Sequence, residues 1–146
     1  LWIFTPLQRR VRYDLIISNA ALQWCENPQG VINKLRCNLN NGGILAVSMF
    51  GESNLKEINF ILKLGNRVNL SRDMGKVSEE IKEFYFDSPI EVLRHIKLTG
   101  ANALREYKFT KSSLKKFESE YKKLYSKDNK VRLTYNPLYI LISNSD

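Results

Sequence analysis

The chain has 146 residues, 43% apolar and 26% charged, with 23 Lys plus Arg against 15 Asp plus Glu and a net charge of +8. That balance suits one globular domain with its own core and excludes a disordered chain. No apolar run approaches the roughly 18 residues that a membrane span needs, and Leu1 to Leu7 lacks the basic flank and cleavage site of a signal peptide.

Residues 1–12, with Arg9, Arg10 and Arg12, show no periodicity and receive no assignment; a chain starting at Leu1 instead of methionine is expected to continue upstream. Tyr13 to Ser18 is a short apolar run behind an acid, the pattern of a buried strand in a parallel sheet covered on both faces. Asn27-Pro28 is a helix start, and Val31, Ile32, Leu35 and Leu39 follow at helical spacing up to Asn40-Asn41-Gly42-Gly43, where glycine suits a left-handed cap. Ile44 to Phe50 is a second buried strand. Residues 13–50 therefore form a strand–helix–strand unit, with a right-handed crossover expected.

Ser53 is expected to cap a helix with Leu55, Ile58, Ile61 and Leu62 on one face, and Leu64 to Lys76 reads as loop. From Val77 to Phe86 the first half suits a helix and Phe84-Tyr85-Phe86 a strand. Ser88-Pro89-Ile90-Glu91 is a capping box that opens a helix ending at Gly100. Thr110 caps another helix, with Leu114, Phe117, Tyr121 and Leu124 on its apolar stripe. Leu133 to Ser143 reads as a strand pair, or as one strand broken at Asn136-Pro137.

Cys25, Cys37 and His95 are too few for a zinc site, so no metal is expected, and the cysteines read as reduced thiols of a cytoplasmic protein. Between Lys108 and Arg132 nine basic residues oppose Glu118, Glu120 and Asp128. Such a surface attracts acidic partners, or is simply a solvated helix face.

The string from Tyr13 to Trp24 (YDLIISNAALQW) resembles the fourth-strand motif of class I S-adenosylmethionine-dependent methyltransferases, and Asn40 to Ser48 the helix-to-strand turn that follows it. Three further stretches narrow the match: Phe50 to Ile58, Tyr85 to Asn102, and Leu133 to Tyr139 are similar to segments of the malonyl-acyl-carrier-protein O-methyltransferases of biotin synthesis. The resemblance implies an α/β, partial Rossmann-like class I methyltransferase fold. It covers only the C-terminal part of the family's domain, because no glycine-rich cofactor motif occurs among the seven glycines. The chain is therefore expected to be one N-terminally truncated domain, with 51–100 as a substrate-cover region and 101–146 as a C-terminal helix and strands.

The resemblance also implies a cofactor, S-adenosylmethionine, and a substrate, malonyl-loaded acyl carrier protein or malonyl-CoA. Asn19, Ala20 and Gln23 then face the cofactor, just beyond the C-terminal end of a parallel strand, where ligands of open α/β sheets bind. Trp24, Arg94, His95 and Thr99 face the substrate, with Asn102 nearby. A malonyl carboxylate favours an arginine fork, which makes Arg94 the leading candidate. Each has a plainer reading: core packing for Trp24, loop hydrogen bonding for Asn19 and Gln23, a solvated helix face for Arg94, surface packing for His95, and helix termination for Thr99.

No catalytic acid or base is expected, since a carboxylate is already ionised. The alternatives are a non-catalytic remnant or fragment needing a partner chain, another small-molecule methyltransferase, or a basic nucleic-acid binder. Against the last stands the absence of any recognised binding motif. A truncated sheet is expected to leave an apolar edge that drives self-association.

Overall fold

The computed structural model describes residues 11–64, 75–99 and 107–144. These divide into two compact units, one from residues 11–51, 75–80 and 137–144, the other from 52–64, 81–99 and 107–136. The regions drawn at 51–100 and 101–146 thus interleave in the second unit. Arg9 and Arg10, most of the Leu64 to Lys76 loop, Gly100 and Asn102 lie outside the described residues.

The first unit is a mixed four-stranded sheet. Strand β1 (Tyr13–Asn19) leads through a 3-10 turn (Leu22–Trp24) to helix α1 (Pro28–Cys37) and then to β2 (Leu39–Phe50), which pairs parallel with β1. Later in the chain come β3 (Lys76–Glu79) and β7 (Pro137–Ser143); β7 runs antiparallel to both β2 and β3, giving the order β1-β2-β7-β3. Asn27 caps α1 as expected, its Oδ1 accepting from Gly30 N at 2.8 Å, with Pro28 in the first turn.

Four expectations need correction here. Helix α1 ends at Cys37, and Leu39 is fully buried in β2, not on the helix stripe. The Asn-Asn-Gly-Gly stretch is no helix cap. It bulges out of β2, so that Tyr13 pairs with Leu39 and Leu15 with Ile44. Gly42 takes φ +75°, and a Cβ on Gly43 would sit 2.8 Å from the Tyr13 carbonyl oxygen, which is why both positions suit glycine. Asn144 clamps the bulge, accepting from Gly42 N at 2.7 Å and donating from its own N to Gly43 O at 2.9 Å. The helical option at Val77 also fails, since Lys76–Glu79 is a strand on β7.

The fourth correction concerns β1, which among the described residues is covered on one face only. Leu22, Ile32, Leu45, Val47, Ile140 and Ile142 form a core under α1 and the 3-10 turn, with Ile16 packed against it. Tyr13, Leu15 and Ile17 point to the other face and are exposed.

Among the described residues, the second unit joins a three-stranded antiparallel sheet to three helices. Helix α2 (Lys56–Leu62) precedes strand β4 (Lys82–Phe86) and helix α3 (Pro89–Leu98). Helix α4 (Lys111–Tyr125) then runs into a hairpin of β5 (Ser126–Lys127) and β6 (Lys130–Tyr135), in the sheet order β4-β6-β5. Asp128 and Asn129, at φ 50° and 60°, make its two-residue turn, for which those residue types are suited. Leu55, Ile58, Val92, Ile96, Phe117, Tyr121, Val131 and Leu133 form the core, and burying such a side chain contributes about 1.5–3 kcal/mol.

Thr110 caps α4 with a reciprocal Ser113 contact. Ser88 Oγ accepts from Glu91 N at 3.3 Å, but the Glu91 carboxylate reaches back to Asp87 N, one residue before the cap. Ser53 does not cap α2. Leu55 occupies that position at φ 54°, buried, while Ser53 N donates to Asn136 Oδ1. Leu124 is exposed, so the α4 stripe rests on Phe117 and Tyr121. The segment ending at Ser143 breaks at Asn136 as the second alternative expected, with β6 ending at Tyr135 and β7 beginning at Pro137; the two strands do not pair with each other and belong to different sheets.

Candidate functional site

Asn19 and Ala20 sit at the C-terminal end of β1, beside the parallel strand β2. Ser48 on β2 ties them together: its hydroxyl donates to Asn19 Oδ1, and Ala20 N donates to Ser48 O at 2.9 Å. Ala20 takes φ 47°, a left-handed conformation that turns the chain sharply out of the strand. Leu22 then anchors the 3-10 turn in the core, leaving Asn19, Ala20 and Trp24 exposed. Core packing for Trp24 is thereby excluded, since more than half of it (55%) is accessible.

Gln23 Oε1 is buried and has no hydrogen-bond partner among the described residues. A buried orphan acceptor costs roughly 1–3 kcal/mol, so a ligand donor at this strand end would satisfy it. The four residues expected here, Asn19, Ala20, Gln23 and Trp24, do fall in one place. Ser48, which orders two of them, escapes sequence reading because nothing in an apolar strand marks one serine as a ligand to a neighbouring loop.

In the second unit Arg94, His95 and Thr99 lie on or just after α3. Arg94 and Thr99 are exposed and His95 is partly buried. Thr99 closes the helix, with its N donating to His95 O and its Oγ1 to Ile96 O, both at 3.0 Å. His95 Nε2 lies 3.0 Å from the Tyr135 hydroxyl. Its ring packs on Phe86, centroids 5.0 Å apart, and Phe84 meets Tyr135 edge to face at 5.5 Å. Burial raises the Tyr135 pKa above the ordinary tyrosine value, opposed in part by a hydrogen bond with Thr99. His95, Thr99 and Tyr135 therefore make one small polar cluster among aromatic rings. The sequence placed Tyr135 inside a matching segment but gave it no role, since a pairing 40 residues away leaves no local signal.

Among the described residues, no group of three or more His, Cys, Asp or Glu is placed to hold a metal, and no helix is long and apolar enough to cross a membrane.

The strand order β1-β2-β7-β3, with β1 and β2 parallel and β7 reversed between its neighbours, is that of a partial class I methyltransferase sheet. A protein from Bacillus halodurans C-125, solved as a candidate methyltransferase, superposes with a TM-score of 0.53 at 14% identity, covering 92% of this chain and 71% of that one. No protein-family model matches. Within that fold class the chain is similar to malonyl-[acyl-carrier protein] O-methyltransferases: 36% identical over 138 residues to that of Chlorobium luteolum and 34% over 141 residues to that of Haemophilus influenzae. The resemblance read from the sequence is thus borne out over 88% and 89% of the chain. The chain spans about half the length of these relatives, 52% and 54%.

Proposed function

We propose that this chain serves S-adenosylmethionine-dependent methylation of the free carboxylate of malonyl-acyl carrier protein, a step of biotin synthesis, in the cytoplasm. The observation that carries the reading is the 36% identity over 138 residues to a relative bearing that activity in its name. It is supported by an exposed strand end at Asn19 and Ala20 with an unsatisfied Gln23 oxygen beside it.

In this reading Asn19, Ala20 and Gln23 hold the cofactor, which supplies an electrophilic sulfonium methyl group. The substrate carboxylate is ionised at neutral pH and needs no general base. What remains for the protein is alignment and exclusion of water. Arg94, exposed on α3, offers a two-pronged donor to a carboxylate. His95, with Tyr135 behind it, and Thr99 offer neutral polar contacts, and Trp24 an exposed aromatic face. The exposed lysines of α4, among them Lys111, Lys115, Lys122 and Lys123, suit an acidic carrier protein.

The test is transfer of a labelled methyl group to malonyl-acyl carrier protein, run with this chain alone and with the remaining part of the Chlorobium luteolum relative added. Formation of the methyl ester in either arm supports the reading; its absence in both overturns it.

A further inference from the structure

Helix α3 ends in a chain of hydrogen bonds whose direction follows from its last acceptor. Thr99 Oγ1 donates its proton to Ile96 O at 3.0 Å. The Tyr135 hydroxyl also engages the Thr99 side chain. With the Thr99 proton already given to a carbonyl, the protonated phenol is the donor of that contact. A phenol has one proton to give, so in its 3.0 Å contact with His95 the Tyr135 oxygen accepts and Nε2 carries the hydrogen. The neutral ring then bears its lone pair on Nδ1. That nitrogen makes no hydrogen bond among the described residues, and the buried unpartnered atoms there are Ser18 Oγ and Gln23 Oε1. On a half-buried ring, Nδ1 is thus left for an outside donor.

We propose that Tyr135 is a positioning residue: it holds His95 as the Nε2–H tautomer, so that Nδ1 accepts from an amide N–H of the substrate's thioester arm. The proposal rests on the methyltransferase reading and says which part of the substrate this end of α3 takes. A bare lone pair repels a carboxylate and attracts a neutral donor. Consecutive helix positions do not face one another, so Arg94 and His95 cannot close on the same group. An arginine fork for the malonyl carboxylate, with an acceptor for a group further along the molecule, fits that divergence. The pantetheine arm that carries the malonyl thioester, in acyl carrier protein and CoA alike, consists of secondary amides joined by methylenes. Methylenes need apolar walls, and the same cluster supplies them. Phe86 lies 5.0 Å from the His95 ring, Tyr135 meets that ring edge to face at 6.0 Å, and Phe84, packed on Tyr135, is 46% exposed. A site built to accept from an N–H discriminates strongly against an analogue that lacks it. His95 therefore selects arm-borne malonate over the free acid.

His95 is the only histidine of the chain, so isotope-labelled histidine gives nitrogen NMR signals that need no assignment. The full 146-residue chain, alone and complemented as above, is measured at about pH 8, where an ordinary imidazole is neutral. It is titrated with pantetheine, then separately with coenzyme A and with holo-acyl carrier protein. The expected spectrum has the proton on Nε2; pantetheine moves the Nδ1 resonance, and malonate without the arm does not. Tyr135→Phe, which keeps the ring packing, should weaken pantetheine binding about fivefold, the worth of one net hydrogen bond. It should raise KM for malonyl-pantetheine by a similar factor and leave kcat nearly unchanged, as loss of uniform binding does. His95→Asn, whose side-chain oxygen reaches the place of Nδ1, should keep more of the affinity than His95→Leu, and this pair carries the test if Tyr135→Phe does not fold. A proton on Nδ1, His95 nitrogens unmoved by pantetheine, or binding indifferent to Tyr135→Phe overturns the proposal. A shift with coenzyme A or with the carrier protein supports it, and a shift with neither overturns it. A pantetheine shift without methyl transfer would sink the functional reading alone; methyl transfer with the His95 nitrogens unmoved would sink this one alone.

Discussion

The carboxylate of Glu57 accepts hydrogen bonds from both the backbone N–H of Thr134, at 3.0 Å, and its hydroxyl, at 2.6 Å, across 77 residues of sequence. Arg132 Nε donates to the same carboxylate at 3.1 Å, and its Nη1 reaches Glu83 at 3.0 Å. Next to this pair, Asn136 Oδ1 accepts from Ser53 N, Asn136 N donates to Asn54 Oδ1, and Leu55 N donates to Thr134 O. The stretches around Phe50 to Ile58 and Leu133 to Tyr139 thus meet through their polar atoms. The second unit is closed by a buried polar clasp as well as by its apolar core.

Glu57 is wholly buried, so removing its charge strands the donors around it. Glu57→Ala is expected to cost about 3 kcal/mol, the range for breaking one side of a buried ionic pair. Urea denaturation of the second unit's signal checks this, and Glu57→Gln, which keeps an acceptor, should lose less. A loss under about 0.5 kcal/mol would place Glu57 among ordinary surface positions.

The elements most legible in the sequence were those whose causes are local. Asn27-Pro28, Ser88-Pro89 and Thr110 each carry their cap within four residues, and each starts a helix where expected. Three failures have non-local causes. The glycines at 42 and 43 serve a bulge fixed by Tyr13 and Asn144, so they looked like a helix stop. Ser53 lies two residues before the observed cap, Leu55, whose left-handed conformation and N–H bond to Thr134 O set the start of α2. The apolar run of β1 looked buried on both faces because periodicity cannot tell a strand covered on both faces from one covered on a single face. At the candidate site, the loop after β1 was readable as a block, whereas Ser48 and Tyr135 act across strands and were not.

Alkaline stability should follow the tyrosines of the second unit. Burial, the main cause, pushes Tyr121 strongly upward from 10.0, and Tyr135 is raised for the same reason. The folded state therefore holds these protons more tightly than the unfolded chain does. The stabilisation is fully present below pH 10.0 and falls as pH rises from there towards the folded values. Tyr121→Phe removes the hydroxyl that donates to Arg132 O at 2.8 Å, which should cost about 1 kcal/mol at neutral pH. It should also flatten the loss above pH 10.0. Melting curves between neutral pH and the alkaline range separate the two effects, and an unchanged alkaline slope would assign it to other groups.

Gln23 allows stability and cofactor binding to be pulled apart. Its buried Oε1 lacks a partner, so Gln23→Met, similar in shape, should raise stability by about 1 kcal/mol. If that oxygen serves the cofactor, the same change should weaken S-adenosylhomocysteine binding about tenfold, the loss of one hydrogen bond to a polar ligand. Calorimetric titration and thermal melts of the complemented protein report both. A gain in stability with unchanged affinity would make Gln23 a packing residue only.

Arg94 and His95 are adjacent on α3 yet should behave differently. Arg94 is exposed, so Arg94→Ala should change stability by less than about 0.5 kcal/mol. If it holds the malonyl carboxylate, kcat/KM should fall about tenfold or more, the cost of one charge-assisted contact. His95→Ala also removes the Tyr135 partner and the Phe86 ring contact, so it should lower stability as well as activity. Denaturation beside steady-state kinetics distinguishes them. Equal stability losses at both positions would count against separate roles.

If an acyl carrier protein docks on α4, the lysines of that helix give the docking a signature in rate. Lys111, Lys115, Lys122 and Lys123 are exposed, and none of them makes a described ion pair, whereas Lys116 lies 4.0 Å from Glu120. Surface charges steer an acidic carrier protein towards its site more than they hold it there. Reversing Lys122 and Lys123 to Glu should therefore slow association with malonyl-acyl carrier protein about tenfold at low salt and leave dissociation nearly unchanged. The effect should shrink as added salt brings the screening length to about 8 Å. Malonyl-CoA, a small substrate, should feel the reversal much less. Stopped-flow association across a salt series, run with both thioesters, checks this; equal slowing with the two would point to a general charge effect instead of a carrier-docking face.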